Sequence, residues 1–444
     1  MDGEQVLRAV YSSSAQHYEA FRDSGLLGRL ISEGKVVGST ELSTVDVPGD
    51  RPASYLLEHP RIPFISYPYE WPFALLKKAA VFHLDLLLAA LDQGFTLSDA
   101  TAYNIQFDGV EPKFIDHLSF RPYQEGEIWA AHRQFCMQFL NPLVLWSRLG
   151  VSPNAWFRGS LEGIEPEQLA KLLRPRDLAS WTLLTHVYLQ GSLQRKATAK
   201  RAPTSAYHAR LSRTSFQGMI EGLRKFIGKL HSPSALTVWS GYANDNSYAN
   251  EAAEKKHQFV QKMVAASQPK VLFDLGCNTG DYSIAALHAG AARVVGFDFD
   301  FGALDQAVEE ADKRNRPFLP LWLDATNPSP AQGWGQLERQ GFAERARGDA
   351  VLALAFIHHL AIARNVPLPM VLDWIIDVAP VGVIEFTPKS DPKVQQLLSN
   401  RPDIFPSYDE GNFLAAVGRR ARVIDSLHLS PGGRLLVWYE RKRR

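Results

Sequence analysis

The sequence predicts an α/β protein in two parts. A doubly wound sheet of seven strands, the last antiparallel, is expected over residues 236–444, with an α+β domain ahead of it. Three observations carry this. Residues 271–280, VLFDLGCNTG, run a buried strand into a glycine turn, and DYSIAALHAG then continues as a helix. From about residue 236, strand-like and helix-like segments alternate, which implies a parallel sheet covered on both faces. Only SLHLSPGG separates the last two strands, too short for a helical crossover, so they pair antiparallel.

Taken in order, HYEAFRDSGLLGRLISEGKVV predicts a helix stopped near Gly34 and then a strand. PFALLKKAAVFHLDLLLAALDQG predicts a strongly apolar helix ending at Gly94. FTLSDATAYNIQFDGVEPKFIDHLSF reads as turn, strand, turn, strand, and residues 127–193 return to helix. The amino-terminal domain is therefore set at 1–194. Residues 195–235, in which nine Lys and Arg between Arg195 and Lys229 face only Glu221, are set as a basic linker or connector helix. In 236–444 the predicted strands are 271–275, 293–298, 317–323, 349–355, 381–386, 422–427 and 434–440.

Composition is that of an ordinary globular protein, 45% hydrophobic and 21% charged with a formal net charge of +1 over 444 residues, enough for two or three cores. That balance argues against a nucleic-acid partner. Two cysteines, Cys136 and Cys277, provide neither a disulfide framework nor a zinc-finger spacing, so no metal is expected. The start MDGEQVLRAVYSSS lacks a signal-peptide pattern, and the apolar run LDLLLAAL is too short to span a bilayer. A cytoplasmic location and no membrane contact are the expectation.

The glycine turn has the spacing D-x-G-x-x-x-G (Asp274, Gly276, Gly280), with Cys277 and Asn278 inside it, not the G-x-G-x-x-G of NAD proteins. Acids also close the next two predicted strands, Asp298 in VVGFDFD and Asp324 in LWLDATNP. One such acid is commonly a helix cap, but three at successive strand ends are hard to explain that way. With the strand order, this resembles the first motif and Rossmann-like sheet of class I S-adenosylmethionine (SAM) methyltransferases. The resemblance implies SAM as cofactor. Asp274 would take the ammonium or organise the turn, Asp298 the ribose hydroxyls, and Asp324 the adenine amino group. A pre-core segment, LTVWSGYANDNSYANEAAEKKHQFV, would close over the SAM tail with Tyr248 and Lys255 or Lys256, while Trp239 and Tyr242 are weaker substrate candidates.

Methyl transfer is an in-line displacement at carbon, and an oxygen or nitrogen acceptor often needs a base. The fourth strand runs into His358 and His359, of which one should face the site and take a proton near neutral pH. Glu385 and Lys389, leaving the fifth strand in VIEFTPKSDP, could bind a polar substrate, or Glu385 could be a buried Glu paired with a Lys.

In the amino-terminal half, Asp99-x-x-x-x-Asn104 followed by Asp116 resembles the catalytic loop and metal-binding Asp of aminoglycoside-phosphotransferase-like kinases. The departures are Leu97-Ser98 where that family has His-Gly, no legible glycine-rich phosphate loop, and Lys35 as the single candidate cation. This makes a kinase-like, degenerate domain or a plain β-hairpin the two readings. More broadly, IHHLAIARNVPL and EFTPKSDPKVQQLLSNRPDIFPSYDEGNF resemble nodulation-protein-like bacterial methyltransferases, which implies a small-molecule, carbohydrate or specialised-metabolite acceptor. The alternatives are a bifunctional kinase–methyltransferase, a protein or RNA methyltransferase, and a non-catalytic SAM-fold scaffold. No N-P-P-Y tetrad follows the fourth strand, which weighs against nucleic-acid methylation.

Overall fold

A computed structural model describes residues 5–43, 52–189, 210–233, 247–399 and 401–442. The chain forms two compact units, Met1–Pro233 and Ser234–Arg444.

In the first unit, strands β1 (Val6–Tyr11), β2 (Thr40–Leu42) and β3 (Ala53–His59) form an antiparallel sheet in the order β1-β3-β2. The predicted helix before Gly34 is two helices, Ser12–Asp23 and Leu26–Ser32, broken where Gly25 adopts φ 78°. The strand expected after Gly34 is a single parallel bridge, Val36 to Phe114. Helix Phe73–Asp92 is apolar around most of its circumference and accordingly buried. Beyond it, β4 (Phe95–Leu97) pairs antiparallel with β7 (Phe120–Pro122), and between them β5 (Ile105–Asp108) pairs with β6 (Glu111–Phe114).

The basic stretch, set as a linker or connector helix, is helical where the chain is described again after 210. Helix Arg213–Gly228 buries Phe216, Ile220, Leu223 and Ile227 along one face and packs on helix Phe73–Asp92. Its cations turn to the same neighbour: Arg224 pairs with Asp85, and Arg213 donates to the Leu91 carbonyl. Arg224 and Lys225 lie on the solvated face of this amphipathic helix, whereas Arg195, Lys196, Lys200 and Arg201 lie outside the described residues.

The second unit is built on one seven-stranded sheet: β8 (Leu272–Leu275), β9 (Val294–Asp298), β10 (Phe318–Trp322), β11 (Ala350–Ala353), β12 (Val381–Phe386), β13 (Ala421–His428) and β14 (Leu435–Arg441), in the order β10-β9-β8-β11-β12-β14-β13. Strands β8 to β12 are mutually parallel; β14 enters antiparallel between β12 and β13. This is the seven-stranded class I methyltransferase sheet with its last strand antiparallel. β8, β9 and β11 are almost wholly buried, as parallel strands covered on both faces must be. Among the described residues no helix is long and apolar enough to cross a membrane.

Candidate active site

Strand order reverses at β8, whose neighbours are β9 and β11, so the carboxyl end of β8 lies at the crevice where open α/β sheets bind ligands. The chain leaves β8 through Gly276–Gly280, with Gly276, Asn278 and Gly280 all in the left-handed region at φ 82°, 50° and 93°. The two glycines are required by the protein itself. A Cβ on Gly280 would sit 2.4 Å from the Phe318 ring, and one on Gly276 3.1 Å from Phe356. Helix Asp281–His288 follows.

Asp298 ties this turn to the next loop. One carboxylate oxygen accepts from the Asn278 amide (2.8 Å), the other from the Asp300 amide (2.9 Å). Each oxygen keeps acceptor capacity. Burial raises its pKa against the pull of these amides. Asp274 is 2% exposed and accepts from the Ser283 hydroxyl at 2.6 Å, so it anchors the start of the helix. Burial pushes its carboxyl up to about 7. Cys277 is buried within the turn. Asp324 bonds locally, accepting from the amide and hydroxyl of Thr326 at 3.0 and 2.6 Å. Asp300 caps the following helix through Gly302 and Ala303. Sequence reasoning passed over Phe299, which follows Asp298 and is 57% exposed beside Trp322. An exposed aromatic at a strand end is its only sequence signal.

A buried ion network closes the neighbouring strand end. Glu385, on β12 and 0% exposed, accepts from Lys256 (2.5 Å), the Ala355 amide (2.8 Å) and Arg434 (3.0 Å). Arg434 also grips Asp391, at 2.7 Å through its Nε. The Lys256 ammonium sits 4.7 Å over the Tyr282 ring. Burial acts to raise the Glu385 pKa, but Lys256 and Arg434 outweigh it and hold the carboxyl down at about 2.

Two pairs of readings that the sequence left open divide here, and other expectations are corrected. Lys255 pairs with Glu251 on an exposed helix face; Lys256, one residue on, is the lysine carried inward. Glu385 is consumed by Lys256 and Arg434 rather than presented to a substrate, and Lys389 pairs with Asp403 at 2.7 Å. His358 is 1% exposed, and burial, reinforced by His359 and Arg434, takes its pKa down to about 3. His359 is lowered too, again mainly by burial. Neither imidazole is the near-neutral base expected, although the His358 Nδ1 is a buried atom without a hydrogen-bond partner among the described residues. Trp239 and Tyr242 lie outside the described residues, as does the side chain of Tyr248, whose backbone belongs to helix Ser247–Ser267.

In the first unit, Asp99, Asn104 and Asp116 converge. The Asn104 amide donates to Asp99 at 3.2 Å and to Asp116 at 3.5 Å. Lys35 instead pairs with Glu33, and the cation at Asp116 is Arg8, from β1. The Ser119 hydroxyl donates to the same carboxylate at 2.6 Å.

No protein-family model matches the sequence. Nodulation protein NoeA of Rhizobium meliloti (strain 1021) is 45% identical over 451 residues, covering 99% of this chain and 92% of the relative. Ribosomal protein L11 methyltransferase of Colwellia psychrerythraea is 39% identical over 62 residues, 14% of this chain and 21% of that protein. Partial likenesses among solved structures include N-methyltransferase NodS from Bradyrhizobium japonicum in complex with S-adenosyl-L-homocysteine, at 11% identity over 45% of this chain and 90% of that one, with TM-score 0.34. Another is the PH0226 protein of Pyrococcus horikoshii, at 17% identity over 45% and 93%, with TM-score 0.32.

Proposed function

The chain belongs to the family of nodulation protein NoeA, and from that premise we propose that it is a SAM-dependent methyltransferase acting on an oxygen or nitrogen of a small molecule, carbohydrate or specialised metabolite. The observation that carries the reading is the half-buried carboxylate of Asp298 facing the left-handed turn of β8, at the switch point of a sheet of this strand order.

The donor set fits SAM. Asp298 has lone pairs left for vicinal hydroxyls, and exposed Phe299 offers an apolar face where an adenine ring can stack. Asp274, with the Lys256 charge near it, would read the amino-acid tail. When bound, SAM supplies an electrophilic methyl on a sulfonium. The chain's own task is alignment and exclusion of water. The Glu385 network pins the ends of β12 and β14 and the helix carrying Lys256 to one another, a rigid floor beside the turn. Burial lowers the basicity of His358 and His359, which favours a role as hydrogen-bond partners that orient an acceptor over one as strong bases.

Calorimetric titration of SAM and S-adenosylhomocysteine tests this. Wild-type protein should bind both, and Asp298→Ala should lose roughly 10- to 100-fold, the scale of hydrogen bonds to a charged acceptor. No binding to folded wild-type protein would overturn the proposal. With binding in hand, radiolabelled methyl should pass to a low-molecular-mass fraction. Label in protein or RNA would replace the acceptor class.

A second reading rests on the convergence of Asp99, Asn104 and Asp116, a geometry able to hold a divalent cation on phosphates. It would make the chain a bifunctional kinase–methyltransferase. Magnesium-dependent ATP turnover abolished in Asp116→Ala supports it; no ATP binding by wild-type or Arg8→Ala protein rejects it.

A further inference from the structure

Two histidines and one of the two cysteines meet in the first unit, in a cluster that shares no residue with the sites described above. His132 and Cys136 stand four residues apart, on one face where helix His132–Phe135 runs into a π-helical turn, Cys136–Leu140. His186 comes from a second π-helical turn, Leu184–Leu189. Each π turn fits an extra residue into a helix, a strained arrangement found frequently at functional sites.

The His132 Nε2 lies 2.8 Å from His186 Nδ1 and 3.7 Å from Cys136 Sγ. All three candidate ligand atoms fall within 4.8 Å of one another. A tetrahedral zinc site with bonds of about 2.0–2.3 Å has edges of roughly 3.3 Å between nitrogens and roughly 3.6 Å between nitrogen and sulfur. The sulfur–nitrogen edge at His132 matches this, the histidine edge is about half an ångström shorter, and the third edge is no longer than 4.8 Å. Cys136 is fully buried while both histidines are partly exposed, which leaves a route for an ion. Arg133, whose charge bears on Cys136, pairs with Glu165 and Glu167.

We infer that His132, Cys136 and His186 form a binding site for a zinc-type transition-metal ion, with the fourth position open to water or another donor. Two imidazoles and one thiolate suit zinc and its neighbours and not magnesium or calcium, which take oxygen ligands. Binding would release the thiol proton as the sulfur becomes a ligand. The site is independent of the methyl-transfer reading, and its role would be to staple the chain around 132–140 to that around 186.

The test is cobalt(II) titration of chelator-stripped, full-length protein without an affinity tag. One equivalent should raise the ligand-field bands of a tetrahedral centre and a sulfur-to-cobalt charge-transfer band, and zinc should displace both. Cys136→Ser should lose the charge-transfer band, and His186→Ala should weaken cobalt affinity at least tenfold, with circular dichroism confirming that each variant is folded. Absence of stoichiometric cobalt or zinc binding by the wild type overturns the site and leaves a hydrogen-bonded histidine pair. A charge-transfer band that survives Cys136→Ser overturns the assignment of the sulfur.

Discussion

The two units each gather carboxylates at strand ends, and they treat the charge in opposite ways. In the first unit Asp116 is neutralised by Arg8 and held by Ser119, so its charge is satisfied by the chain. In the second, Asp298 is held by two backbone amides and, among the described residues, by no side-chain cation, while Lys256 and Arg434 are spent on Glu385. A carboxylate braced by amides is pre-oriented and still able to accept from a ligand; one closed by a guanidinium must first exchange that partner. The difference leaves Asp298 with acceptor capacity and closes Asp116 within its own chain.

The strongest way to stress this contrast is Glu385→Ala. It strands Lys256 and the Arg434 guanidinium against the interior and should cost about 3–5 kcal/mol in chemical denaturation. Asp116→Ala, at a pair whose arginine is a third exposed, should cost at most about 1 kcal/mol. Near-equal losses would erase the distinction. The depressed pKa of Glu385 also sets a pH window. Its stabilisation is fully present above the ordinary Glu range and is lost as pH falls towards about 2. Acid unfolding of the second unit should therefore move to higher pH in Glu385→Gln.

Next in size is Asp298→Ala, for which about 1.5–3 kcal/mol of SAM affinity should disappear while any ATP binding is untouched. Loss of both ligands together would point to unfolding rather than to a ribose contact.

A smaller effect comes from Asp274. With its folded pKa near 7, above the unfolded value of 3.8, the ligand-free protein keeps this group's contribution below the unfolded value and loses it as pH rises through about 7. A ligand ammonium nearby favours the ionised form. SAM affinity should thus rise by up to about tenfold per pH unit below 7 and level off above it. Asp274→Asn should flatten that profile, and an unchanged profile would remove Asp274 from the ligand's surroundings.

The smallest expected change is Arg8→Ala, worth at most about 1 kcal/mol in stability. Its value lies in magnesium–ATP binding, which should strengthen if the guanidinium caps the site. No change in a protein whose wild type binds ATP would show that Arg8 is no cap.

What sequence alone determined are the features carried by short-range pattern. The period of burial in β8 to β11, the left-handed turn at Gly276–Gly280 and the short link before β14 are written within a few residues, because backbone sterics and strand burial act locally. Asp298 at the end of β9 follows from the same register. Tertiary structure alone decided which charges meet. Lys256 rather than Lys255 turns inward because one residue rotates a helix face by about 100°. Arg434 reaches Glu385 from just before β14, 49 residues on, and Arg8 reaches Asp116 across 108. The neutrality of His358 is likewise a property of its surroundings, since burial and not residue type sets that pKa. His132, Cys136 and His186 come together only when two helices pack. Spacing along the chain encodes conformation, whereas desolvation and ion pairing depend on distances that exist only after folding.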